Sequence, residues 1–215
     1  LMHGSIYNYH DTALDYVHAG QEEEAKLVLK TAIDRGAEES PLTYYYLACF
    51  SKVAVCVDYL DKALSVSCDY CFPNRLEAVV ALERAKQQNP QGAKAPYLLG
   101  CLYYDKRQYD LAIENWELSA KLNPEFPTVW RNLALARFNK QHKPDEAVAY
   151  MEKAFHLDET DARVFMELDQ LYKRIQKPHA ERLAFLQQYP QLIAQRDDLV
   201  LEEITLLNHL GRHEE

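Results

Sequence analysis

Glycine is scarce, six in 215 residues, too few for the many tight turns of an all-β fold. No apolar run approaches the roughly 20 residues that span a bilayer. No basic block interrupts a chain of net charge −9, so a surface that tracks phosphates, and with it nucleic-acid binding, has no basis. The opening stretch LMHGSIYNYH lacks the basic and apolar regions of a secretory leader, and its start at Leu1 reads as a piece of a longer protein. Catalytic signatures are missing too: there is no phosphate-cradling Gly loop, no GxSxG, no HExxH, and no nucleophile beside an evident base. The expectation is a protein that is not an enzyme, with no catalytic residue, cofactor or metal. The five cysteines are odd in number and irregular in spacing, which fits reduced thiols and a cytoplasmic location better than a disulfide framework.

What is present is helical periodicity. Over 94–106, Tyr97, Leu98, Leu99, Leu102 and Tyr103 fall at helical spacing. Over 108–122, Tyr109, Ala112, Ile113, Trp116 and Leu122 do the same. The short polar DKRQ between them predicts antiparallel neighbours, and Asn123-Pro124 ends the second helix, because a residue before proline is pushed out of the α region. Gly100 and Ala112 remove bulk where the two helices meet, letting the axes approach to about 8–10 Å. The same grammar returns 34 residues on: Leu99-Gly100 becomes Leu133-Ala134, and Asn89-Pro90 becomes Asn123-Pro124. Ala78, Leu82 and Ala85 likewise become Ala112, Trp116 and Ser119.

A period of this length with these small residues resembles the tetratricopeptide repeat. Residues 93–126 carry the pattern through Leu99, Gly100, Tyr103, Ala112, Trp116 and Pro124, with Pro96 where the first aromatic usually stands. A unit at about 6–38 carries Tyr9, Ala13, Tyr16, Gly20, Ala25, Leu29 and Ala32, and the unit 127–161 carries Trp130, Leu133, Ala134, Ala147, Met151 and Ala154. Further units are read at 162–190 and at 197–215, the last cut inside a repeat and leaving an apolar end near Leu206, Leu207 and Leu210 open to self-association. Residues 41–90 are irregular: helices at 41–50, about 54–66 and 74–88 predict one extra or shifted helix, with the loop SCDYCFPN between the last two. The resemblance implies an all-α, right-handed solenoid of antiparallel pairs, with about 11–12 helices forming one array over 1–215.

In that family the first helix of each pair lines a concave groove at its second, fifth, sixth, ninth, twelfth and thirteenth repeat positions. Carried over, the lining is Tyr45, Tyr46 and Cys49, then Lys94, Tyr97, Leu98, Cys101 and Tyr104, then Arg131, Asn132, Leu135 and Phe138, then Arg163, Met166, Glu167, Gln170 and Lys173, with His10, Leu14 and His18 from the first unit. The mixture suits a peptide or helix with an apolar anchor and an acidic flank. Gly100, Ala112, Ala134 and Ala147 are the helix-packing positions. The family's clamp for a C-terminal carboxylate does not carry over. Asn132 and Arg163 match two of its places, but Tyr97 and Cys101 replace a Lys and an Asn, and Glu167 replaces an Arg.

Three smaller features stand apart. Cys68-Asp-Tyr-Cys71 has the spacing of half a zinc site or a redox pair, with incidental buried or loop thiols as the plainer reading. Tyr44, Tyr45 and Tyr46 point in different directions on a helix, so at least one belongs to the core. Asp169 sits where Gly or Ala is expected and calls for a partner, with Arg182 the candidate.

A narrower resemblance rests on the phrases FPNR, LLGCLYYDKRQYDLAIENWE, RNLALA, ELDQLYKR and QRDDLVLEE. They are similar to the tetratricopeptide half of a group of large bacterial proteins whose N-terminal half resembles β-rich carbohydrate-processing domains. The function implied is a non-catalytic module that binds a protein segment in its groove, with no nucleic acid or membrane partner. The alternative is a structural arm that packs on the carbohydrate-processing-like domain of the same parent protein.

Overall fold

A left-handed residue ends most of the first helices. The computed structural model describes residues 5–214, with residues 53 and 54 described by backbone; residues 1–4 of the opening stretch and residue 215 of the last expected unit lie outside the described residues. Helices α1 (Ile6–His18) and α2 (Glu22–Asp34) are joined through Gly20 at φ 76°, where Gln21 N–H reaches back to the Tyr16 carbonyl at 2.8 Å. Helices α6 (Lys94–Asp105) and α7 (Tyr109–Leu122) repeat it through Arg107, and α8 (Pro127–Gln141) and α9 (Pro144–Leu157) through His142. Helices α10 (Ala162–Arg174) and α11 (His179–Leu186) repeat it through Gln176. Beyond the four-residue α12 (Pro190–Ile193), α13 (Asp197–His209) ends in Gly211 at φ 71°. Starts are marked by proline in the first turn of α3 (Pro41–Cys49), α8 and α9, by the Asp161 carboxylate accepting from the Arg163 and Val164 amides, and by Glu22–Glu24 and Asp197-Asp198 at the positive end of the dipole.

The chain divides between Leu122 and Asn123 into two compact units, where the sequence reading treats it as one array. In unit 1, α1 packs on α2, and α7 packs on α6. The irregular stretch resolves into α4 (Val53–Ser65) and α5 (Glu77–Gln88), both packed on α3. Of the two, α5 makes the extensive packing on α6, linking consecutive first helices as a second helix does. Its Ala78, Leu82 and Ala85 are buried. The extra helix is therefore α4.

In unit 2, α9 packs between α8 and α10, and α11 packs against α10 and α13. Phe155, Phe165, Phe185 and Tyr189 meet in its core, with Phe155 and Phe165 ring centres 5.2 Å apart. The described helices are all α, thirteen with the short α12 included.

Candidate functional site

Small residues position the faces. Gly100, Ala112, Ala134 and Ala147 are all buried. The room left by Gly100 is taken by Trp116: a Cβ there would lie 2.4 Å from the indole Cδ1 and Nε1. The indole N–H donates to the Tyr97 carbonyl at 3.2 Å, and the Ser119 hydroxyl donates to the Ala93 carbonyl at 2.8 Å, so α7 is hung on α6 at two heights.

In unit 1 the first-helix face is not open. Tyr45 and Tyr46 are 2% exposed and Tyr97 is 7% exposed, so none of the three lines an open groove. Their cover is the chain itself. Segment 66–76, between α4 and α5, runs against α1, α3 and α6. The Tyr7 hydroxyl donates to the Tyr70 carbonyl at 2.8 Å and accepts from the Phe72 amide at 3.1 Å. Arg75 pairs with Asp11 at 3.3 Å, and the Cys71 thiol lies 3.4 Å from the Ser40 hydroxyl. Lys94, another expected lining residue, spends its ammonium on the Leu64 carbonyl at 2.5 Å and on the Val66 carbonyl, the end of α4. Tyr104 turns to α7, its ring centre 5.3 Å from Trp116 and 5.1 Å from Tyr109.

Tyr7 and Asp11 were missed in the sequence. They are the second and sixth positions of the first unit, so the positional rule that selects Tyr45 and Tyr97 also finds them.

Cys68 and Cys71 belong to this segment, and Cys101 lies on α6. Burial pushes the Cys68 thiol up to about 12 and the Cys101 thiol up to about 11, and it raises Cys71. Such thiols are protonated and poorly nucleophilic at neutral pH. Cys68 and Cys71 are the ends of a turn closed by the Cys71 amide on the Cys68 carbonyl at 3.1 Å. Among the described residues no group of three or more His, Cys, Asp or Glu side chains is placed to hold a metal ion. His10, the fifth position of the first unit, is 3% exposed, and its Nε2 lies 2.8 Å from the Thr43 hydroxyl. Burial lowers its pKa to about 4.

In unit 2 the corresponding face is accessible. Leu135, Phe138, Met166 and Gln170 are half-buried, and Arg163 and Lys173 are exposed. Arg131 forks onto both oxygens of Glu167 and also donates to the side-chain amide oxygen of Asn132 at 3.3 Å. Arg163 reaches the same Glu167 at 3.2 Å. The carboxylate that replaces a clamp Arg is thus neutralised by two guanidinium groups. The Arg174 guanidinium lies 5.5 Å from the Phe138 ring centre, and Lys173 holds both Glu202 oxygens at 2.9 Å.

Behind this face Asp169 has its partner. Arg182 donates to its two oxygens at 3.0 and 2.6 Å and to Glu202 at 2.7 Å. Burial raises the Asp169 pKa against the opposing bonds and charge of Arg182. Of Leu206, Leu207 and Leu210, expected at an open apolar end, the first two are buried and Leu210 is exposed; α13 also exposes Val200, Leu201 and Ile204.

The described helices form an all-α chain of antiparallel helix pairs. A family model described as tetratricopeptide repeat matches residues 93–126. Among solved structures, Pseudomonas aeruginosa pilF is similar at 20% identity and a TM-score of 0.57, over 96% of this chain and 84% of that one. A MamA RS-1 ArsTM double mutant is similar at 18% identity and a TM-score of 0.50, over 88% of this chain and 95% of that one. At these identities the likeness is one of fold. Among the described residues no helix is long and apolar enough to cross a membrane.

Proposed function

We propose that the chain is a non-catalytic interaction module that docks a protein segment on the first-helix face of unit 2. The observation that carries this reading is the pairing there of half-exposed apolar side chains, Leu135, Phe138 and Met166, with cations, Arg163, Lys173 and Arg174, at the edge. An apolar anchor would be desolvated at the centre while charges at the rim select register and sign. Arg131 and Arg163 share the single carboxylate of Glu167, which leaves one net positive charge there; Arg174 adds another, and both favour an acidic flank on the ligand.

The experiment is photo-crosslinking in cells, with a crosslinking side chain introduced at Leu135 or Met166, or at exposed Leu27 and Leu111 of second helices as references. The expected result is a discrete adduct from 135 and 166 and none from 27 and 111. Equal adducts from all four positions, or adducts from the references alone, would contradict it.

A further inference from the structure

The 66–76 segment meets unit 1 as a bound peptide meets a receptor. Its contacts fall on groove positions of α1 and α6 and on the N-cap of α3: Tyr7, Asp11 and Ser40 hold it directly, and Lys94 holds the carbonyls where it leaves α4. Recognition is largely of the backbone, since the Tyr7 hydroxyl reads one carbonyl and one amide on either side of Cys71. Cys71 is the inserted side chain, 5% exposed, with Pro73 buried two residues on. The flanking Tyr70 and Phe72 side chains are 79% and 65% exposed, so the largest apolar groups of the segment contribute little to its seat. Tyr70 also sits at φ 54°, a conformation that a side chain of its size rarely adopts.

We propose that the first-helix face of unit 1 is a binding site for an extended peptide, and that residues 66–76 are its ligand held in cis. A partner for this site offers an extended backbone, a small side chain to bury and a proline two residues later, and it binds by displacing the segment. This holds whether or not the unit 2 face docks a protein.

The test uses the full chain with residues 67–74 replaced by a Gly/Ser linker of equal length, and a labelled synthetic peptide of residues 66–76 as the probe. The expected result is saturable binding to the replaced chain and roughly hundredfold weaker binding to the intact one, whose own segment is present at high effective concentration. A replaced chain that keeps its helical content and binds no better than the intact protein overturns the proposal. Tyr7→Phe in the intact chain gives a second reading that does not depend on the replacement folding. Amide exchange at Phe72 is expected to quicken by roughly tenfold while α3 and α6 keep their protection. Unchanged exchange at Phe72, or α3 and α6 opening together with it, would make the segment an integral part of the core and overturn the proposal.

Discussion

Single side chains carry the sharpest consequences. Gly100→Ala places a methyl where Trp116 stands, so it should cost about 1–3 kcal/mol of stability in urea unfolding and weaken the indole bond to the Tyr97 carbonyl. Arg182→Met leaves Asp169 buried without its fork and should cost about 3 kcal/mol, and adding Asp169→Leu should restore most of it. His10 titrates in the opposite sense to a paired histidine. Its folded pKa, about 4, lies below the ordinary 6.5, so folding favours the neutral ring. Stability is full above the ordinary value and is lost as the pH falls toward 4. Between pH 7 and pH 5 the loss at this one group should be about 2 kcal/mol, read as the difference in pH dependence between the wild-type chain and His10→Gln. The need for an Asp169 partner was readable because a carboxylate at a helix crossing has few ways to be satisfied. The burial of His10 was not, since nothing in its neighbours' spacing says that the face above it is filled.

At the scale of the element, the pairing of helices was legible and the path between α4 and α5 was not. The period of 34 and the small residues at each crossing are local, repeated signals, and they foretold α6 with α7 and α8 with α9. Where segment 66–76 goes depends on contacts more than 60 positions away, such as Tyr7 with Phe72, and periodicity holds no record of those. That is why Tyr45, Tyr46 and Tyr97 have groove positions and core burial at once. The recurring left-handed turn yields a further prediction. Gln176 at φ 60° occupies the place that glycine fills in the first and last turns, so Gln176→Gly should raise the thermal midpoint, with a gain of about 0.5–1 kcal/mol after the entropy cost of glycine.

Over the molecule as a whole, two units share one building rule but present different faces. Unit 1 turns its first helices toward its own chain, while unit 2 leaves Phe138, Met166 and their cationic edge accessible. Hydroxyl-radical footprinting read by mass spectrometry separates the two most directly, because it reports side-chain exposure without needing a ligand. After correction for intrinsic reactivity, Met166, Phe138, Tyr70 and Phe72 should oxidise readily, and Tyr45, Tyr46 and Tyr97 should be protected by roughly tenfold or more. Tyr45, Tyr46 and Tyr97 reacting as fast as Met166 would mean that unit 1 holds an open groove, and would contradict the division into one filled face and one free face.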